Sequence, residues 1–106
     1  MRHVFALGTV AATLAILQPL YAQDLRGNVE SGRRLTIDWC TGCHSVEPKQ
    51  AGIFAADFAE IAKLPSTTAL SLRVFLQTSH KNMPNLILQP EEADDIVAYI
   101  LSLKQK

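Results

Sequence analysis

The sequence predicts an all-α fold with three to five helices. Apolar residues recur at helical spacing in four separate stretches, and no stretch shows the convincing alternation typical of a β-strand. A length of 106 residues is enough for one domain. The net charge is zero, so the chain lacks the basic excess usual in nucleic-acid-binding proteins. We therefore expect one helical domain that does not bind nucleic acid.

Residues 1–22 have the order of parts found in a secretory signal peptide. A short basic start precedes an uncharged, mostly apolar run over residues 4–17, and Pro19 and the small residue Ala22 follow. A membrane anchor is the alternative, but a spanning helix needs roughly 20 apolar residues. We expect cleavage before Gln23, export, and a mature domain of residues 23–106 with no stable membrane span.

The first two predicted helices cover residues 29–39 and 57–63. Asn28 is suited to accept hydrogen bonds from the free amides at the start of the first helix, whose apolar face includes Gly32. The second helix is short, carries Phe58 on its apolar face and stops before Pro65. A loop over residues 45–56 is expected to connect them.

The third and fourth predicted helices follow. The third covers residues 67–77, with Ser66 or Thr67 as its cap and with Leu72, Phe75 and Leu76 pointing inward. The fourth begins after a loop over residues 79–89, at Pro90, whose fixed backbone angle suits the first helical position. Gln89 is a weak cap, so we expect the first turn to fray. The apolar stripe of this helix comprises Ala93, Ile96, Val97, Ile100 and Leu103.

The sequence Cys40-Thr41-Gly42-Cys43-His44 directly follows the first helix. Cys-x-x-Cys-His is the attachment motif of c-type haem. Two thiols three positions apart on a helical turn point the same way, so both can add to the vinyl groups along one porphyrin edge. His44 can then place its imidazole under the iron as the proximal ligand. The motif therefore predicts one covalently bound haem c.

Other roles for these cysteines are less consistent with the sequence. A zinc site needs four ligands, and His44 with a distant His80 completes one only with awkward geometry. A thioredoxin-like pair requires a βαβ setting, which is absent. A disulfide between Cys40 and Cys43 closes a loop too short to stabilise the chain much. A catalytic Cys–His pair is disfavoured because an exported protein meets oxidising conditions.

With these features the sequence resembles a class I cytochrome c of the small bacterial periplasmic type. The resemblance covers nearly all of the mature chain. It depends on the first helix with Gly32, on the Cys-x-x-Cys-His motif, on Met83-Pro84-Asn85, and on a last helix that carries Tyr99. In that family the first and last helices cross where a glycine faces an aromatic residue. The resemblance thus implies that Gly32 meets Tyr99.

The family also implies the ligands of the haem iron. Cys40 and Cys43 correspond to the attachment cysteines and His44 to the proximal ligand. The second ligand in the family is a methionine in a loop before the last helix, which corresponds to Met83. His80 is the rival ligand, and its simpler interpretation is a partly exposed loop histidine.

The chain departs from the family at one position. Members often have an Ala-Pro-x-Phe-like segment before the second helix, and the corresponding stretch here is Ala55-Ala56-Asp57-Phe58, with Asp57 where proline is expected. In the family that proline helps to hold a backbone carbonyl against the proximal histidine. Another carbonyl could serve here.

The resemblance implies a periplasmic electron carrier that is a monomer and not an enzyme. Its expected partners are redox proteins: a periplasmic dehydrogenase, a membrane cytochrome complex or a terminal oxidase. A dedicated subunit of one such enzyme and a haem-based gas sensor are the alternatives.

Several side chains outside the motif have expected roles as well. Trp39 and Tyr99 are expected in the core, against the haem or the helix crossing, and either could donate to a haem propionate. Lys81 is the best candidate for a partner contact, and the other basic side chains considered are expected to be solvated: Lys49, Lys63 and Arg73.

Overall fold

The computed structural model describes residues 27–48, 54–78 and 82–105, and the secondary structure within these ranges is helical throughout. The predicted signal peptide and three side chains singled out above, those of Lys49, His80 and Lys81, lie outside the described residues. The elements are α1 (Val29–Cys40), α2 (Phe58–Lys63), α3 (Ala69–Gln77), α4 (Pro90–Ser102) and a final 3-10 turn (Leu103–Gln105). The predicted all-α fold is confirmed.

The start of α1 is the one predicted. The Asn28 side chain accepts a hydrogen bond of 2.9 Å from the amide of Ser31, which satisfies one of the free donors of the first turn. The helix continues to Cys40, one residue beyond its predicted end, so the first cysteine of the motif belongs to the helix. The position of this cysteine is therefore set by the packing of α1.

The cap of α3 differs from the prediction. Thr68, not Ser66 or Thr67, accepts a hydrogen bond of 3.1 Å from the Ser71 amide, and the Ser71 hydroxyl accepts one of 2.9 Å from the Thr68 amide. Thr67 is buried, and its hydroxyl donates across 2.6 Å to the carbonyl of Ile61 in α2. Because this tertiary bond occupies Thr67, capping passes to the next residue.

The first turn of α4 is closed by a side chain of the helix itself, a contact that Gln89 alone does not predict. The carboxylate of Glu92 reaches back and accepts a hydrogen bond of 2.8 Å from the amide of Gln89. This contact satisfies a backbone donor that the helix itself leaves free. Closure of the turn depends on Glu92, three residues into the helix.

Helices α1 and α4 cross at Gly32. A Cβ atom on Gly32 would overlap the carbonyl oxygen of Asp95 and lie 2.9 Å from the Cβ of Tyr99. The carboxylate of Asp95 accepts a hydrogen bond of 2.6 Å from the amide of Asn28, where a negative charge favours the N-terminal end of α1. The expected meeting of Gly32 with Tyr99 is confirmed.

The core lies around α4, against which α1, α2 and α3 all pack. Its most enclosed large side chains are Ile96, Val97, Leu103 and Val46, each 1% exposed. Arg73 was expected to be a solvated charge, but its guanidinium pairs with Asp94 and joins α3 to α4, with both side chains about three-quarters covered. Within the described residues, no helix has the length and apolar character needed to cross a bilayer.

Candidate functional site

The end of α1 brings Cys40, Cys43 and His44 to one cavity. After the helix the chain turns back on itself, because the amides of Cys43 and His44 both donate to the carbonyl of Cys40, at 3.1 and 2.9 Å. Cys40 is buried, Cys43 is exposed, and both line the same cleft as His44. The turn thus presents two thiols and an imidazole to a shared space, as the motif predicts.

This cleft is large and mostly apolar. It has a volume of about 820 Å³, near the upper end of the range for small-molecule and cofactor sites. Among the described residues that line it, none carries a charge. Its apolar side chains come from all four helices and the connecting segments, and include Trp39, Phe54, Phe58, Ile61, Leu72, Phe75 and Ile100. The volume and the apolar, uncharged lining suit a large apolar cofactor.

The imidazole of His44 is fixed by a backbone carbonyl. Its Nδ1 lies 2.7 Å from the carbonyl oxygen of Ala56, and because a carbonyl only accepts, Nδ1 carries the proton. The ring of Phe58 lies 5.0 Å away and is tilted by 48°. With Nδ1 engaged as a donor, Nε2 keeps a free lone pair, the arrangement usual for a metal-binding histidine.

The carbonyl that contacts His44 belongs to Ala56, the residue before Asp57. No proline is needed to present it, because the amides of Phe54 and Ala55 both donate to the carbonyl of Cys43, at 3.2 and 3.1 Å, and hold this segment beside the motif. The substitution at Asp57 therefore leaves a partner for the histidine in place. Sequence reasoning left open which carbonyl would serve.

The environment of Cys40 is unlike that of a reactive thiolate. Burial raises the pKa of its thiol to about 11, whereas nucleophilic and metal-binding cysteines have lowered pKa values. Cys40 and Cys43 are not joined in a disulfide. In the parts of the chain that the structure describes, no group of three or more His, Cys, Asp or Glu side chains is arranged to hold a metal ion. These features disfavour the catalytic and disulfide alternatives, while the zinc alternative involves His80, which lies outside the described residues.

Met83 lines the same cleft as His44. It is partly buried and lies in the segment between α3 and α4, ahead of Pro84. The preceding residue, Asn82, has a φ of 64°, a left-handed conformation that asparagine tolerates better than most residues. The cleft therefore contains both side chains that the sequence predicts as iron ligands.

The two aromatic side chains considered as propionate donors have different positions. Trp39 lines the cleft and is 46% exposed, so it belongs to the rim of the cleft and not to the helix crossing. Tyr99 is 4% exposed, and its hydroxyl donates across 2.7 Å to the carbonyl of Val46. This bond uses the only proton of the hydroxyl, and Tyr99 is not among the described residues that line the cleft, so its place is the helix crossing.

Sequence reasoning did not identify Phe54 or Asn82 as parts of the site. Both line the cleft from segments without regular secondary structure, where periodicity carries no information. The one available signal for Asn82 was its residue type, since asparagine is enriched in left-handed positions.

Comparisons with known proteins agree with this geometry. A family model described as cytochrome c matches residues 29–104. The chain is similar to cytochrome c-552 of Bradyrhizobium diazoefficiens, with 39% identity over 83 residues, which covers 76% of this chain and 79% of that protein. No solved structure matches significantly.

Proposed function

The chain belongs to the cytochrome c family and carries covalently bound haem c with its iron; from this premise we propose that it is a periplasmic electron carrier with His44 and Met83 as axial ligands. The observation that supports the proposal is the meeting of four side chains in one uncharged cleft: Cys40, Cys43, His44 and Met83. The haem supplies reversible one-electron chemistry at its iron, with a potential that depends on the axial ligands.

In this proposal Cys40 and Cys43 hold the haem through thioether bonds. Their positions at the end of α1 and on the following turn bring both cysteines to the same cleft. The hydrogen bond from His44 Nδ1 to the Ala56 carbonyl orients the ring and increases the electron density of Nε2. The protein thus fixes the proximal ligand before any electron is exchanged.

Met83 would supply the second ligand to the iron. A neutral thioether favours ferrous over ferric iron and so raises the potential. A haem iron held by both His44 and Met83 would have no position left for a substrate. The chain would then act as a carrier and not as an enzyme.

The partners in this proposal are redox proteins such as a periplasmic dehydrogenase, a membrane cytochrome complex or a terminal oxidase. Contacts of this class are weak and bury little surface. Export to the periplasm follows from the signal-peptide pattern of residues 1–22. Intact-mass measurement of the periplasmic protein should show the loss of these residues and the gain of one haem; a retained N-terminus in the membrane fraction contradicts this part of the proposal.

Replacement of Met83 tests the proposed ligand set. The oxidised protein should show the weak red charge-transfer band of iron–methionine bonding and titrate as a one-electron couple. Met83→Ala should abolish the band, lower the potential and open a position for carbon monoxide. The control is His80→Ala, which should change none of these properties. If His80→Ala opens the iron to carbon monoxide and Met83→Ala leaves the spectrum unchanged, the assignment of Met83 as ligand is wrong. Ready carbon monoxide binding by the unaltered protein would instead support a gas sensor.

A dedicated subunit of one redox enzyme is the second candidate. Leu70 and Val74 lie one turn apart on α3, are 69% and 52% exposed, and do not line the cleft. Exposed apolar side chains of this kind are typical of protein contact surfaces when they form a patch. Size-exclusion chromatography of the periplasmic fraction separates the two candidates, because a free carrier elutes alone and a bound subunit elutes with its enzyme.

A further inference from the structure

The segment after His44, residues 45–47, is held from two sides. On one side, α2 contributes the amide of Phe58, which donates across 2.9 Å to the carbonyl of Ser45. On the other side, α4 contributes Tyr99, whose hydroxyl donates across 2.7 Å to the carbonyl of Val46. We name residues 45–47 the proximal segment. It connects the proposed iron ligand to the helix crossing within two residues.

The bond between Tyr99 and Val46 is the most enclosed contact of the proximal segment. Tyr99 is 4% exposed and Val46 is 1% exposed. A buried carbonyl that loses its hydrogen-bond donor has no water molecule to replace it, so the loss of this donor is costly. The proximal segment therefore has a strong preference for the position in which Val46 meets the Tyr99 hydroxyl.

A second contact from α1 is weaker. The guanidinium of Arg33 donates from Nε across 2.8 Å to the carboxylate of Glu47, but the two side chains remain 41% and 29% exposed. Ion pairs with this degree of solvent contact contribute little to stability. The Tyr99 hydroxyl is thus the stronger of the two restraints from the α1–α4 pair.

We propose that Tyr99 is a positioning residue for His44, an inference that depends on the proposed role of His44 as iron ligand. The Tyr99 hydroxyl holds the Val46 carbonyl and so restrains the backbone two residues after His44. Because this backbone is restrained, the His44 imidazole stays at hydrogen-bond distance from Ala56. Loss of the hydroxyl leaves the ring of residue 99 at Gly32 but loosens the hydrogen bond of His44 Nδ1. The helix crossing then influences the iron through its proximal ligand.

Tyr99→Phe in the haem-loaded protein tests the inference. The matched control is Thr36→Val, because Thr36 is also fully buried, lies in the same helix pair and donates its hydroxyl to a carbonyl, that of Arg33, at 2.9 Å. The first measurement is solvent exchange of the His44 Nδ1 proton by NMR. Tyr99→Phe should accelerate it by roughly tenfold, the factor that corresponds to one lost hydrogen bond, and Thr36→Val should not.

The reduction potential is the second measurement. A weaker hydrogen bond from Nδ1 makes the imidazole a poorer electron donor, so Tyr99→Phe should raise the potential and Thr36→Val should leave it unchanged. Equal effects of the two variants would show a general loosening of the helix pair and overturn the inference, as would no effect of Tyr99→Phe on either readout.

Two further measurements on the unaltered protein complete the test. Hyperfine-shifted NMR resonances of the His44 ring in the oxidised protein test only whether His44 binds the iron. Their absence would contradict the proposed function but not the positioning role of Tyr99, which the second measurement addresses. The Tyr99 hydroxyl proton and the His44 Nδ1 proton should exchange in one opening event, with rates that rise in parallel with denaturant. Rates that diverge overturn the inference even if Tyr99→Phe does not fold.

Discussion

The α-carbon of Gly32 lies directly against the backbone carbonyl of Asp95, with no space between them for a side chain. In the interior of a helix, alanine normally stabilises relative to glycine by roughly 0.5–1 kcal/mol. At this position the sign should reverse, since the obstacle is backbone of α4 and cannot rotate away. The close approach of two helices thus outweighs the intrinsic preference of the residue.

We therefore expect Gly32→Ala to destabilise the domain by about 1–3 kcal/mol, the cost of overpacking, and Gly32→Leu to cost more. Denaturant unfolding of the haem-loaded protein measures this change. Arg34→Ala is the control in the same helix, because the Arg34 side chain is 64% exposed. An unchanged midpoint for Gly32→Leu would mean that the helices do not meet there.

Joint replacement of Cys40 and Cys43 by alanine should release the haem on acid–acetone extraction and denaturing electrophoresis. Little folded protein should remain, because a domain this small depends on its covalent cofactor for much of its core. Thr41→Ala, between the two cysteines, should leave the haem attached. Haem that resists extraction without both thiols, or a cooperative apo-protein, would argue against this attachment.

The left-handed backbone of Asn82 should matter for the ligand that follows it. Asn82→Gly should keep the iron–methionine charge-transfer band, because glycine adopts a φ of 64° without strain. A β-branched side chain at this φ costs at least about 1–2 kcal/mol, so Asn82→Val should lose the band at a lower denaturant concentration. Equal midpoints for the two variants would show that this conformation does not position Met83.

Stability at alkaline pH should depend on Tyr99. Burial raises the pKa of its phenol above the ordinary value of 10.0, the charge of Glu47 raises it further, and Arg33 acts in the opposite direction. Because the folded state holds this proton more tightly than the unfolded state, the contribution of Tyr99 is complete below pH 10 and is lost as the pH rises through the folded-state pKa. Above pH 10, the free energy of unfolding of the unaltered protein should thus decrease more steeply than that of Tyr99→Phe. Parallel pH profiles of the two proteins would contradict the raised pKa of Tyr99.

Local patterns predicted most of the fold. Asn28 and Pro90 mark helix starts that depend on nearby residues alone, so both were identified at the correct position. The cap of α3 was misplaced because Thr67 makes a tertiary bond to Ile61, and no local pattern shows such a bond. No local pattern marks Gly27, although a Cβ there would overlap the carbonyl oxygen of Asp94.

The candidate site was predictable where a motif or a family pattern exists. Cys40, Cys43, His44 and Met83 all line the cleft, as expected. The contact that orients His44, from its Nδ1 to the carbonyl of Ala56, spans 12 positions and follows no sequence pattern. Longer contacts that hold the surrounding fold, such as that of Tyr99 with Val46 over 53 positions, follow none either. Such contacts require the tertiary structure.

The crossing of α1 with α4 also constrains the order in which the protein is made. The hydrogen bond between Asn28 and Asp95 joins residues 67 positions apart, and among the described helices α1 packs against α4 alone, so this packing cannot form until α4 has been synthesised. Closing so long a loop carries an entropic cost that only the completed core repays. During synthesis and export the thiol of Cys40, which the finished fold buries, is still accessible. Before α1 and α4 pack, the Cys40 thiol is therefore open to covalent modification, whereas the finished fold restricts access to it.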